Sequence, residues 1–182
     1  MPPPTPPYLF YQMETGAALP AECPAGYRFE YWRPDFRRPL PPGLAPITGV
    51  VWLIFHLLGC FANRDYSAGL VWKETRIVHL TMVFPGFFRF PFMAKADVQF
   101  GALWTEPDCR GQGLAGVAVS KLTRQLAGSG RIIWYITHES NTASQQVARR
   151  AGFRLVGHGD KLPRLGLRFL GRYELIQPVE RL

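Results

Sequence analysis

Seven consecutive residues, Cys109-Arg110-Gly111-Gln112-Gly113-Leu114-Ala115, combine what is needed to hold an anion. Two glycines one residue apart permit a tight turn, and the backbone N–H groups that follow can converge on one negative group. Arg110 adds a positive charge immediately before the turn. A glycine turn in isolation has a second explanation, relief of backbone strain between a strand and a helix. The flanking residues favour the first, and the turn is read as a pyrophosphate cradle. Val98 to Trp104 has strand character and is ended by Pro107; from about Gly113 to Ala127, Leu114, Ala118, Leu122 and Leu126 recur every fourth residue, as a helix requires.

The elements beyond the turn must position it. Gly128 and Gly130 stop the helix, and Arg131 to Thr137 is almost continuously apolar, as expected for a parallel strand covered on both faces. Ser140 or Asn141 caps a second helix, with Ala143, Val147 and Ala151 on its inward stripe and Gly152 at its end. Two closing strands are expected within Phe153 to Gly157 and Leu167 to Gln177, separated by a basic loop from Gly159 to Arg164. The order strand, glycine turn, helix, strand, helix, strand makes the first helix a crossover between parallel neighbours. Anions in such folds bind outside the carboxyl ends of the strands, where this turn lies.

The N-terminal half is less regular. Residues 1–26 are expected to be a proline-rich tail and an irregular lead-in, and 27–182 a single domain. Tyr27 to Trp32 reads as the first strand, a proline-rich loop fills 34 to 46, and Ser67 to Trp72 and Arg76 to Phe84 form a hairpin about Lys73-Glu74-Thr75. The apolar run from Ile47 to Ala62 is shorter than the roughly 20 residues of a bilayer-spanning helix and contains His56 and two glycines, so it is expected to be a buried or interfacial helix. Phe84, Phe87, Phe88, Phe90 and Phe92 follow; packing in a core or pocket is their ordinary role, and contact with a membrane surface is the alternative.

Bulk properties narrow the partners. The chain has 182 residues, 47% of them hydrophobic, which suits one domain with a substantial core. A formal net charge of +8 favours anionic partners, whether nucleic acid, anionic membrane or a phosphorylated cofactor. Like charges occur in nothing longer than pairs such as Arg37-Arg38 and Arg149-Arg150, so a nucleic-acid tail is not supported. Cys23, Cys60 and Cys109 show neither disulfide nor metal spacing. The N-terminus lacks a secretion-signal pattern, and a cytoplasmic location is expected.

The run Leu103 to Ala115 resembles the acetyl-CoA segment of the GNAT superfamily of N-acetyltransferases, whose signature Gln/Arg-x-x-Gly-x-Gly/Ala is met by Arg110, Gly113 and Ala115. Asn141-x-x-Ser144 followed by Ala151-Gly152-Phe153 resembles that family's second motif, and the resemblance covers roughly residues 97 to 157. It implies an α/β (α+β) fold, with a mixed, centrally splayed sheet flanked by helices on both faces. It implies further that pantetheine enters the gap between the Val98 to Trp104 and Arg131 to Thr137 strands beside Leu103, Trp104 and Thr105. The pyrophosphate would rest on N–H groups of Gly111, Gln112, Gly113, Leu114 and Ala115, helped by the helix dipole, with Arg110 also on the cofactor and Asn141 and Ser144 on the pantetheine arm. The co-substrate would be acetyl-CoA, with no metal.

Acyl transfer to an amine needs a neutral amine, a stabilised carbonyl oxygen and a proton for the leaving thiolate. Many relatives supply that proton from a tyrosine seven residues after the Asn, where this chain has Ala148. His138, Tyr135 or water could replace it, or catalysis could have been lost. Asp97 and His138, at the ends of neighbouring strands, are the candidate catalytic residues, with Glu139, His79 and His56 behind them; imidazole exchanges protons near neutrality. The leading expectation is an acetyl-CoA-dependent N-acetyltransferase acting on a small-molecule amine, such as an amino sugar or an apolar amine, in a chain that could form a homodimer. The alternative is a non-catalytic CoA-binding or scaffold module that meets a membrane or protein through its aromatic surface. Nucleic-acid binding ranks last.

Overall fold

The computed structural model describes residues 7–14, 21–128, 130–164 and 167–178. Its strands are β1 (Tyr8–Glu14), β2 (Tyr27–Trp32), β3 (Ser67–Lys73), β4 (Arg76–Pro85), β5 (Val98–Thr105), β6 (Ile132–His138), β7 (Arg154–Arg164) and β8 (Leu167–Pro178). Helix α1 (Pro46–Leu57) lies between β2 and β3, α2 (Leu114–Gln125) between β5 and β6, and α3 (Thr142–Arg150) between β6 and β7. The strands join in one sheet in the order β2-β3-β4-β5-β6-β1-β7-β8. The pairing of β5 with β6 is parallel and the other pairings are antiparallel.

Tyr8–Glu14 corrects the expectation of an irregular lead-in over residues 1–26; the proline-rich stretch 1–6 lies outside the described residues. β1 enters the middle of the sheet, with Tyr11 opposite both Tyr135 and Leu155. Leu9, Phe10, Tyr11 and Met13 are all buried there, so the strand is covered on both faces. Its partners lie more than a hundred residues away, and no local pattern announces them. A second correction concerns Gly159 to Arg164, which is paired strand rather than loop. β1 pairs with β7 only as far as Gly159, so the polar residues after it extend past the sheet with β8 as their strand neighbour, where solvent accepts them.

Two faces follow from strand alternation. On one, Val119 and Leu122 of α2, Leu126 just after it and Ala148 of α3 pack with Val83, Val98, Phe100, Ile133 and Tyr135. On the other, Trp52 and Phe55 of α1 join Trp32, Tyr66, Leu80, Met82, Phe84 and Phe87. The sheet thus carries helices on both faces, as the resemblance implies. Of α1 only Gly49 is buried, so it is not a buried helix.

One irregularity opens the sheet. Met82 pairs with Gly101 and Leu80 with Trp104, which leaves Ala102 and Leu103 together opposite Thr81, and Ala102 adopts φ +49. Such a bulge bends the strand that contains it. β5 pairs with β6 only through Val98, Gln99 and Phe100, and the two strands part beyond Phe100. The edge of β5 from Gly101 to Thr105 therefore faces a gap.

Candidate active site

The gap continues into a cleft of about 590 Å³ between the carboxyl end of β5, the start of α2 and one side of α3. Several bonds hold the turn at its mouth. Glu106 N–H donates to Val78 O at 2.9 Å, and the 3₁₀ turn Pro107–Cys109 buries Cys109. Arg76 Nη2 donates to Asp108 Oδ2 at 2.7 Å, and this hydrogen-bonded guanidinium holds the Asp108 carboxyl below its ordinary pKa. Tyr27 Oη donates to Gln112 Oε1 at 2.6 Å, and Arg110 Nε donates to Thr105 O at 3.1 Å.

Gly111 and Gly113 take φ +78 and +77, the left-handed region that a side chain disfavours. Gly113 is the N-cap of α2, without a capping side chain and with no acidic residue in the first turn. The N–H groups of that turn, with the positive end of the helix dipole, are therefore left to a ligand. No atom lies within 4 Å of where a Cβ on Gly111, Gly113 or Gly116 would stand, so the mouth is open there. Among the described residues, Arg110 and Arg150 line the cleft and no Asp or Glu does, which suits a polyanion.

On the far wall, Asn141 Oδ1 accepts the Ser144 N–H at 3.0 Å and caps α3. The amide nitrogen of Asn141 is the end that can serve a ligand. Ala143, Gln146, Val147 and Arg150 follow at spacings of three and four and present one helix face to the cleft. Tyr135 crosses from β6 to Ser144, with Oη to Oγ 2.7 Å. Burial is the main cause of the rise of its pKa above 10. Ala148 is fully buried one turn beyond Ser144.

His79 lies at the inner end of the cleft, fully buried. Its Nδ1 meets Thr105 Oγ1 and its Nε2 meets Thr81 Oγ1, each at 2.7 Å. Desolvation pushes its pKa down to about 4, so the ring is neutral and both nitrogens are engaged. Its effect is to fix Thr105 at the end of β5.

The cleft gathers Leu103, Trp104, Thr105, Arg110, Gly111, Gly113, Leu114, Ala115, Asn141 and Ser144, the expected cofactor residues except Gln112, whose side chain turns to Tyr27. It does not gather the two catalytic candidates. Asp97 is 2% exposed at the start of β5, where its carboxylate accepts Ala94 N–H, Ile132 N–H and Trp134 Nε1–H at 2.9, 3.1 and 3.0 Å. It ties β5 to β6 before they diverge. His138 is on the opposite face of β6 from Tyr135, with its ring 5.3 Å from that of Tyr8. Its Nδ1 accepts the Ser140 N–H at 3.2 Å, which commits the basic lone pair to the neighbouring turn. Glu139 and His56 do not line the cleft either. The sequence pattern alone did not single out Arg150 or the pairing of His79 with Thr105; the spacing of Arg150 from Ala143 and Val147 on one helix stripe was the available signal for the first.

Residues 92–160 match the family model described as FR47-like protein, a span that contains the turn, β6 and α3. That stretch of the chain is therefore similar to the FR47-like family. The fold of the chain is shared with a GCN5-related N-acetyltransferase from Sphaerobacter thermophilus at TM-score 0.58 and 16% identity, covering 84% of this chain and 49% of that one. A GNAT-family acetyltransferase from Colwellia psychrerythraea gives 0.53 and 17%, covering 82% and 53%. A tandem GNAT protein from the clavulanic acid biosynthesis pathway, solved without AcCoA, gives 0.52 and 15%, covering 84% and 51%. The chain thus spans about half the length of these structures, and at such identities they establish the acetyltransferase fold alone. Comparison with curated proteins gives no match.

Proposed function

We propose that the protein is an acetyl-CoA-dependent N-acetyltransferase that moves the acetyl group directly to a primary amine. One observation carries this: an uncapped, glycine-opened helix N-terminus and a protonated tyrosine belong to one cleft that, among the described residues, contains two arginines and no carboxylate. The turn and the arginines suit the phosphates, and the unpaired edge of β5 with Asn141 suits a pantetheine arm. Acetyl-CoA supplies an activated acyl group, so the protein needs no nucleophile of its own.

The residues then divide the work. Backbone N–H groups on the free edge of β5 orient the acyl carbonyl, and Thr105, held by His79, fixes that edge. Tyr135 keeps its proton at neutral pH and can release it to a departing thiolate, with Ser144 Oγ as the adjoining exchange partner. A helical side chain leans over the turn N-terminal to its own Cα, so a large residue at 148 would reach toward Ser144. Tyr135 Oη already does so from the opposite wall, which accounts for Ala148.

Titration calorimetry with acetyl-CoA, followed by thiol release with a panel of amines, tests the proposal. Binding is expected to weaken by roughly tenfold or more in Arg110→Ala and Gly113→Val, since each removes about one charge-assisted contact or strains the turn. Absence of binding in the native protein would sink it, and binding without thiol release for any amine would leave a CoA-binding module.

A further inference from the structure

Helix α1 is apolar on every side. Its inner residues Trp52 and Phe55 pack among Phe61, Phe84 and Phe87. Its outer residues Ile47, Val50, Val51, Ile54 and Leu57, with Leu58 after them, step by three and four and so form one stripe. All are exposed, Ile47 and Leu58 to 74% and Leu57 to 72%. Phe88 extends the stripe beside Phe55, at 6.3 Å between rings. On the other flank, Asp35 Oδ1 accepts the N–H groups of Arg37 and Arg38 at 2.7 Å each, a turn that holds Phe36 wholly in solvent. That turn runs into Leu40 and Pro41, which lie against Gly49 of α1.

A continuous apolar surface of this kind marks a site of contact, and the charges around it identify the partner. No acidic residue occurs between Asp35 and Asp65, or between Glu74 and Asp97; at the bounds, Asp35 is turned to the N–H groups of Arg37 and Arg38, and Asp65 to Arg33 and Arg131. These two segments hold Arg37, Arg38, Arg64, Arg76, Arg89 and Lys95, with Arg33 just before them; Arg38 pairs with Glu30, Arg33 with Asp65 and Arg76 with Asp108. Arg33 Nη2 donates to Arg64 O at 3.0 Å. After burial, the charges of Arg64 and Arg33 push the His56 imidazole in the last turn of α1 down; His56 packs toward Tyr66, so these arginines stand on the side of the helix away from Ile54. A second copy docked face to face would set the cations of these segments against their own images. Anionic headgroups would neutralise them.

We propose that this face docks the protein on an anionic membrane surface, with α1 flat in the interface, its outer stripe at the acyl boundary and Arg37 of the Phe36 turn among the phosphates. No helix among the described residues is long and apolar enough to cross a bilayer. At roughly 18 Å, a helix of this length falls short of the ~30 Å hydrocarbon core and is suited to lie on it. The docking is independent of the acetyl-transfer chemistry.

Co-sedimentation of the full chain with phosphatidylcholine vesicles, with or without a third of phosphatidylserine, provides the test. Binding to the phosphatidylserine vesicles alone is expected, with a partition coefficient lowered at least tenfold or so in Ile54→Glu/Leu57→Glu. Arg37→Gln should weaken it by roughly fivefold, and added salt should weaken it likewise. Phe36→Ser, at a position with no packing, gives the same readout where a helix variant fails to fold; circular dichroism melts separate the cases. Failure to sediment with either vesicle would overturn the proposal. So would binding indifferent to phosphatidylserine, or a lipid-free dimer that Ile54→Glu dissolves, which would make the face a self-interface.

Discussion

Tyr135 Oη and Ser144 Oγ meet at 2.7 Å across the space between β6 and α3, directly beside the gap where β5 leaves β6. Each residue is ordinary for its element: Tyr135 is an inward residue of a central strand, and Ser144 stands in the first turn of a capped helix. Together they put a protonated phenol at the inner wall of the cleft.

Tyr135→Phe tests the proposed proton-donor role. General acids contribute about 10²–10⁴-fold, so kcat is expected to fall roughly a hundredfold while the Kd for acetyl-CoA stays within about twofold. Burial raises the Tyr135 pKa, so the donor is protonated at neutral pH and its ionisation should not lower the native rate there. An unchanged kcat would assign the proton to water. A loss confined to acetyl-CoA affinity would assign Tyr135 to binding.

His79 predicts an acid-sensitive fold. Its pKa is about 4 in the folded protein, because burial disfavours the imidazolium, against 6.5 in an unfolded chain. Above pH 6.5 both states are neutral and the stability is fully present. As pH falls toward 4 the unfolded chain takes up a proton that the folded chain does not, and stability drops by roughly 3 kcal/mol. Urea unfolding at pH 7 and pH 4.5 should show this loss in the native protein and a smaller loss in His79→Gln, the carboxylates contributing equally to both. Equal slopes would show that His79 titrates normally.

Asp97 is expected to act on stability alone. Asp97→Asn replaces one acceptor oxygen of a carboxylate that receives three N–H groups, leaving a buried donor against a donor, which costs about 1–3 kcal/mol. Thermal melts should register that loss, with kcat and acetyl-CoA affinity per folded molecule unchanged. A hundredfold fall in kcat at unaltered stability would return Asp97 to the chemistry.

Local chemistry decided much of this protein in advance. The glycine turn, the periodicity of α2 and the Asn141 cap each depend on residues within a few positions of one another, so their backbone preferences and side-chain spacings were legible from the sequence, as was the gap between β5 and β6 through the family resemblance. The burial of β1, the service of Asp97 as a link between strands and the placement of His138 on the opposite face depend on partners tens to more than a hundred residues away. Those outcomes are set by which strands become neighbours, and a one-residue step along a strand moves a side chain to the other face of the sheet. Hence Tyr135, not His138, faces the cleft, and Tyr135 can be proposed as the proton donor that the sequence leaves open at Ala148 only once β6 and α3 are packed together.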